Sequence, residues 1–179
     1  AQMATAPDQV LIPVDASDRS WHAFHWYLDH LHKEGNVVHV CTVHLAPKPI
    51  FKRDSHAMHE QEAAEQAQLE SESKELLNKF TERLDQKGIT AFQVIRTGGC
   101  LPCCLDSVSA DARDEVVAVA QEINATMVVM GSRGDGWVRR AFLGSVSSHV
   151  VHHCHCPVIV VRPEFDCPGC PTSGEPHAH

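Results

Sequence analysis

Residues 126–130, Thr-Met-Val-Val-Met, run directly into Gly131-Ser132-Arg133-Gly134, and nine residues later the chain reads Gly144-Ser145-Val146-Ser147. The apolar run reads as a buried strand ending at Met130, and residues 145–153 read as a helix. Gly131 and Gly134 then stand where the strand ends. Backbone without a Cβ lets a ligand approach closely there. Gly144-Ser145 stands where a helix begins, and the free N–H groups and positive dipole end of such a start suit an anion. The hydroxyls of Ser145 and Ser147 would add donors. Arg133, Arg139 and Arg140 would add positive charge across the loop. Each half taken alone also fits a plain turn and a plain helix cap. The whole spacing, with strand before and helix after, favours a phosphate cradle.

Working outward, residues 157–162 follow as a further strand. Upstream, Gln9-Val10-Leu11-Ile12-Pro13-Val14-Asp15 is a short apolar run ending in an acid. It reads as a first buried strand, in which Pro13 weakens only the last rungs. Ser17 is placed to cap a helix. Trp21, Phe24, Leu28 and Leu31 then mark one face of that helix, closed by Gly35. Residues 37–43 are β-branched and apolar, a second strand. Residues 57–87 carry Leu69, Leu76, Leu77, Phe80 and Leu84 on a helical stripe ended by Gly88. A third strand is expected at 89–96, and a helix at 114–123 with Val116, Val119, Ala120 and Ile123 inward. Strands and helices alternate along the whole chain. That order implies a parallel sheet covered by helices on both faces. Such sheets hold ligands beyond the carboxyl ends of the strands, where the strand order reverses.

At 179 residues and 43% hydrophobic the chain is one domain's worth, with enough apolar content to fold without disulfide staples. A formal charge of -8 argues against a nucleic-acid backbone as partner. Residues 1–9 have neither a basic start nor an apolar run, and no 18-residue apolar stretch occurs anywhere. The expectation is a cytoplasmic protein without membrane contact, whose eight cysteines are thiols. One domain is expected over residues 8–163, with an insertion at 100–110, followed by a flexible tail at 164–179.

The cysteines and histidines open other readings. Cys100-Leu-Pro-Cys103 and Cys167-Pro-Gly-Cys170 could make a four-thiolate zinc site if brought together, although only their spacing supports it. His149, His152, His153, Cys154, His155 and Cys156 form a dense run. His149 and His153, four apart on a helix, could share a metal. Neutral surface histidines are the commoner case, so no metal site is expected here.

Gly-x2-Gly-x9-Gly-Ser, followed by a helix and Cys156-Pro157-Val158-Ile159-Val160-Val161, resembles the nucleotide-binding signature of the universal stress protein family. Val10-Leu11-Ile12-Pro13-Val14-Asp15-Ala16-Ser17 is similar to that family's first strand. The resemblance covers residues 8–163 apart from 100–110. It implies a five-stranded parallel α/β sheet of order 3-2-1-4-5 and a homodimer formed through the last strand, Val158 to Val161. It implies Pro13, Val14, Asp15 and Val40 around a nucleoside. It also implies Met130, Gly131, Arg133, Gly134, Gly144, Ser145, Val146 and Ser147 around ribose and phosphates, with ATP as ligand. The complete glycine signature matches the family's ATP-binding branch. No Gly-x4-Gly-Lys-Ser/Thr occurs and no base stands out near the loop, so binding with slow hydrolysis at most is expected, in a stress-response switch or sensor. A Mg²⁺ would enter with the phosphates. A phosphohydrolase or self-phosphorylating enzyme on the same site, and a metal or redox module built on the Cys-x2-Cys pairs, are the alternatives.

Overall fold

The structure, a computed structural model, describes residues 6–45, 56–98, 111–132 and 143–162, with side chains described at all of these except 45 and 56–62. The elements in order are β1 (Gln9–Pro13), α1 (Asp18–His30), β2 (Val37–Leu45), α2 (His56–Gln86), β3 (Ala91–Gly98), α3 (Ala112–Glu122), β4 (Met127–Gly131), α4 (Ser145–His153) and β5 (Val158–Val161). The strands make one parallel sheet in the order β3-β2-β1-β4-β5. The expected alternation and strand order are both found. The insertion at 100–110, the tail from 164, and both Cys-x2-Cys pairs lie outside the described residues.

The period-two alternation of the strands divides the interior into two cores. Val10, Ile12, Val14, Val38 and Val40 meet Phe24 and Tyr27 of α1 and Leu77, Phe80 and Leu84 of α2. Leu11, Cys41, Val128 and Met130 meet Val116, Val119 and Ala120 of α3 and Val150 of α4. β1 and β4 are buried on both faces, which is why their sequences read as continuous apolar runs.

Some expectations shift. α1 begins at Asp18 because Ser17 caps it, its Oγ accepting from the Ser20 N–H at 3.4 Å. Its buried stripe is Ser20, Ala23, Phe24 and Tyr27, while Trp21, Leu28 and Leu31 pack only at the margin. Tyr27 tolerates this depth because its hydroxyl lies 3.1 Å from His32 Nδ1 and accepts from Asn36 Nδ2 at 3.4 Å. α1 ends at His30 with the Leu31 N–H bonded to the Tyr27 carbonyl, so Gly35 (φ 91°) serves the turn into β2 instead of closing the helix. β3 begins at Ala91 instead of residue 89, since the Ile89 N–H is captured by the Leu84 carbonyl in the turn after α2.

Candidate functional site

The order of the strands reverses between β1 and β4, and the chain leaves both at their carboxyl ends. Leu11 pairs with Val128, and the same register carried three residues on sets Val14 level with Gly131. Val14 donates its N–H to the Cys41 carbonyl at 2.7 Å, which holds the chain in the sheet one residue past β1. The chain then turns at Asp15. Its Oδ1 accepts from the Ser17 N–H at 3.0 Å and from the Ser17 hydroxyl. The Ser20 hydroxyl lies 2.6 Å from the Asp15 carbonyl and accepts from the Asp15 N–H at 3.3 Å. Asp15 is exposed, and its Oδ2 has no partner among the described residues. The carboxylate therefore organises the start of α1 with one oxygen and presents the other to solvent.

On the β4 side, Ser132 is fixed by its N–H to the Val161 carbonyl at 3.0 Å. Its own carbonyl accepts from the Gly144 N–H at 2.8 Å. The Ser147 hydroxyl lies 3.2 Å from that same carbonyl and 3.1 Å from the Gly144 carbonyl. These contacts pinch residue 132 to residue 144 at the base of the loop. Gly144 is the N-cap residue of α4 in extended conformation, with φ -60° and ψ 161°. The helix's first internal bond is Ser148 N–H to the Gly144 carbonyl. The N–H groups of Ser145, Val146 and Ser147 have no acceptor among the described residues. Three aligned donors at the positive end of a helix make a place for an anion.

Pro13, Val14, Asp15, Met130, Gly131, Gly144, Ser145, Val146 and Ser147 are thus gathered around the ends of β1 and β4. Arg133 and Gly134, with Arg139 and Arg140, lie outside the described residues. Ser147 and Val40, both expected at the site, have buried side chains. The Ser147 hydroxyl is turned onto carbonyl oxygens and closes the base of the loop. Val40 is fully buried in the core beside Ile12 and does not reach the mouth of the crevice. Cys41 is the β2 residue level with Pro13, and Thr42, Val43 and His44 carry β2 farther toward the carboxyl edge.

His44 is tied at both ring nitrogens, 3.3 Å from Ser73 Oγ of α2 and 2.9 Å from Thr97 Oγ1 of β3. Reading the second strand as ending at Val43 hid this end of β2. Cys41, one residue from Val40, is also buried, which pushes its thiol up to about 12 and marks it as a packing residue without nucleophilic character.

Fold and site together define a doubly wound parallel α/β protein with the N-terminus of α4 set at the topological switch point of its sheet. The chain belongs to the universal stress protein family, whose model matches residues 7–162. It is 31% identical over 170 residues to Universal stress protein PHOS34 of Arabidopsis thaliana, a match covering 89% of this chain and 63% of that relative. The chain thus spans less than two thirds of that relative's length. Among solved structures, the hypothetical protein MJ0577 superposes with a TM-score of 0.70 at 20% identity, covering 90% of this chain and all of the other. A universal stress protein family protein from Arabidopsis thaliana, solved with AMP bound, superposes with a TM-score of 0.59 at 19% identity, covering 93% of this chain and 98% of that one. At these identities both likenesses establish the shared fold.

Proposed function

We propose that this chain binds an adenine nucleotide, ATP foremost, in the crevice between the ends of β1 and β4, and works as a nucleotide-dependent switch or sensor in a stress response. The observation that carries this reading is the row of N–H groups of Ser145, Val146 and Ser147, which have no acceptor among the described residues, at the switch point of the sheet. A phosphate group takes such a row without further charge. The nucleoside end lies toward Pro13, Val14 and Asp15, whose Oδ2 accepts from a ribose hydroxyl. The sequence resemblance adds Arg133 and Gly134, outside the described residues, to the phosphate contacts, and Mg²⁺ enters with the phosphates. The AMP held by one relative of the same fold supports an adenine ligand. Hydrolysis is slow, because no Gly-x4-Gly-Lys-Ser/Thr motif supplies a lysine to the phosphates. A second copy pairs along β5, whose apolar edge at Val158, Ile159 and Val160 is partly exposed in the single chain.

Denaturing freshly purified protein and identifying what it releases tests the assignment, together with calorimetry against ATP, ADP and AMP in the presence of Mg²⁺. Adenine nucleotide in the released fraction and saturable binding are expected. No released nucleotide and no heat of binding at millimolar ATP would overturn the reading.

A further inference from the structure

The link from α4 to β5 holds a cluster that the nucleotide crevice does not use. Cys154 and Cys156 bring their sulfurs to 3.7 Å, and one ligand atom of His155 joins them so that all three lie within 4.8 Å of one another. No other group of three cysteine, histidine or carboxylate side chains so close together occurs among the described residues.

The backbone explains the clustering. Cys154 ends α4 in extended conformation, with φ -73° and ψ 142°, its N–H still bonded to the Val150 carbonyl at 2.9 Å. Cys156 precedes Pro157, which also biases it toward extended backbone. In a straight strand His155 would point away from both cysteines. The chain instead bends at His155 and Cys156, which brings the imidazole round to the sulfurs. Beyond the bend, the Pro157 carbonyl accepts from the Val128 N–H at 2.9 Å and anchors the link to β4. Both ends of the three-residue segment are therefore tied to the frame. The two sulfurs pack against the apolar core formed by Leu11, Val128 and Val150, while His155 is exposed.

From this geometry we propose that Cys154, His155 and Cys156 form a binding site for one thiophilic d¹⁰ cation, with Zn²⁺ as its divalent occupant. Two ligands about 2.3 Å from a tetrahedral zinc stand about 3.8 Å apart, close to the spacing these sulfurs already have. Two sulfurs and one imidazole are the donor set that zinc takes in preference to magnesium or calcium. Three protein ligands leave the fourth position to water, so the ion remains exchangeable. On binding, two S–H bonds break and two Zn–S bonds form, the protons pass to solvent, and nothing is oxidised or reduced. The helical pair His149 and His153, which sequence spacing singles out, is not this site. Their rings stack at 4.0 Å, His149 Nε2 lies 2.9 Å from Asp114 Oδ1, and His153 Nδ1 meets the His149 carbonyl at 2.8 Å.

The test uses the full chain, reduced, with Cys100, Cys103, Cys104, Cys167 and Cys170 changed to serine, which leaves the buried Cys41 as the one thiol outside the cluster. Titration with Co²⁺ should show one equivalent bound, with the near-ultraviolet sulfur-to-cobalt absorption and intense visible bands of a tetrahedral site, displaced by Zn²⁺. Adding Cys154→Ser and Cys156→Ser should abolish that absorption. His155→Ala alters only an exposed side chain and should weaken Zn²⁺ at least about tenfold, the loss that even an outer partner of a metal ligand can cause. No thiolate absorption in the five-serine protein overturns the proposal. So does full absorption after removal of Cys154 and Cys156. If that last variant does not fold, His155→Ala decides, and unchanged Zn²⁺ affinity in it also overturns the proposal.

Discussion

A Cβ on Gly131 would stand 2.9 Å from the carbonyl oxygen of Arg19 and 3.1 Å from its carbonyl carbon. The first turn of α1 rests on the end of β4 at a distance that only glycine permits. Gly131 thus has a packing duty before any ligand is considered. Gly131→Ala should destabilise the protein by about 1–3 kcal/mol through overpacking. Urea denaturation measures this, and an unchanged midpoint would show the contact to be slack. Gly131→Val, the obvious substitution for blocking a phosphate loop, would displace α1 and so cannot report on binding alone.

Ser145→Pro separates binding from folding. Proline is tolerated at the first position of a helix, and Gly144 already has the extended backbone that a following proline demands. The variant removes one N–H from the anion site and should weaken ATP about tenfold or more, the loss of a charge-assisted hydrogen bond. Ser145→Ala, which keeps the N–H, should lose much less. Calorimetry on both variants checks the difference; equal affinities would put the phosphates elsewhere.

Asp15 offers a second separation. Asp15→Asn keeps an oxygen for Ser17 and should leave stability within about 0.5 kcal/mol of the parent. Asp15→Ala removes that acceptor and should cost about 1 kcal/mol, as loss of a helix-capping interaction does. If Oδ2 accepts from a ribose hydroxyl, both variants bind nucleotide more weakly. Asparagine binding as tightly as aspartate would assign Asp15 to the turn alone.

Phe80 is the side chain on which α1 and α2 meet. It stacks on Trp21 at 3.9 Å and meets Phe24 edge-on at 5.1 Å, and it is fully buried. Phe80→Ala should cost about 3–5 kcal/mol. Thermal melting followed by circular dichroism would register it, and a loss below about 1 kcal/mol would mean that α2 does not hold this core together.

Acid should weaken the fold by way of three histidines. Burial lowers His25, with the nearby Arg83 adding to it, and burial also lowers His32 and His39 from the ordinary 6.5. Between those lowered values and 6.5 the unfolded chain binds more protons than the folded one. Stability is therefore fully present above 6.5 and declines as pH falls below it. His39 Nε2 lies 2.8 Å from Gln9 Oε1, and its ring stacks on Phe92. Urea midpoints compared at about pH 7.5 and about pH 5.5 should differ less in His39→Gln than in the parent. An identical difference would remove His39 from the account.

Much of this was legible along the chain. The pattern of apolar residues is local, and Leu77, Phe80 and Leu84 or Val116, Val119 and Ala120 report their helical faces directly. The first helix was harder to read. Its true stripe includes Ser20 and Tyr27, which are buried because Asp15, Asn36 and His32 satisfy their hydroxyls, and those partners are distant in hydropathy terms. The depth of Val40 was not legible, because a strand's sequence does not announce how far it outruns its neighbour.

The amino-acid sequence by itself determined the alternation of strands and helices, the glycine and serine spacing at 131–147, and through them the family. These follow from periodicity and from backbone freedom at single residues, which neighbours in the chain express. Only the tertiary structure decided that Gly131 is needed by Arg19, that the Ser147 hydroxyl faces inward, and that Cys154, His155 and Cys156 draw together while His149 turns to Asp114. Each depends on distances set by how separate segments pack or on where the backbone bends, and composition and spacing carry no measure of either.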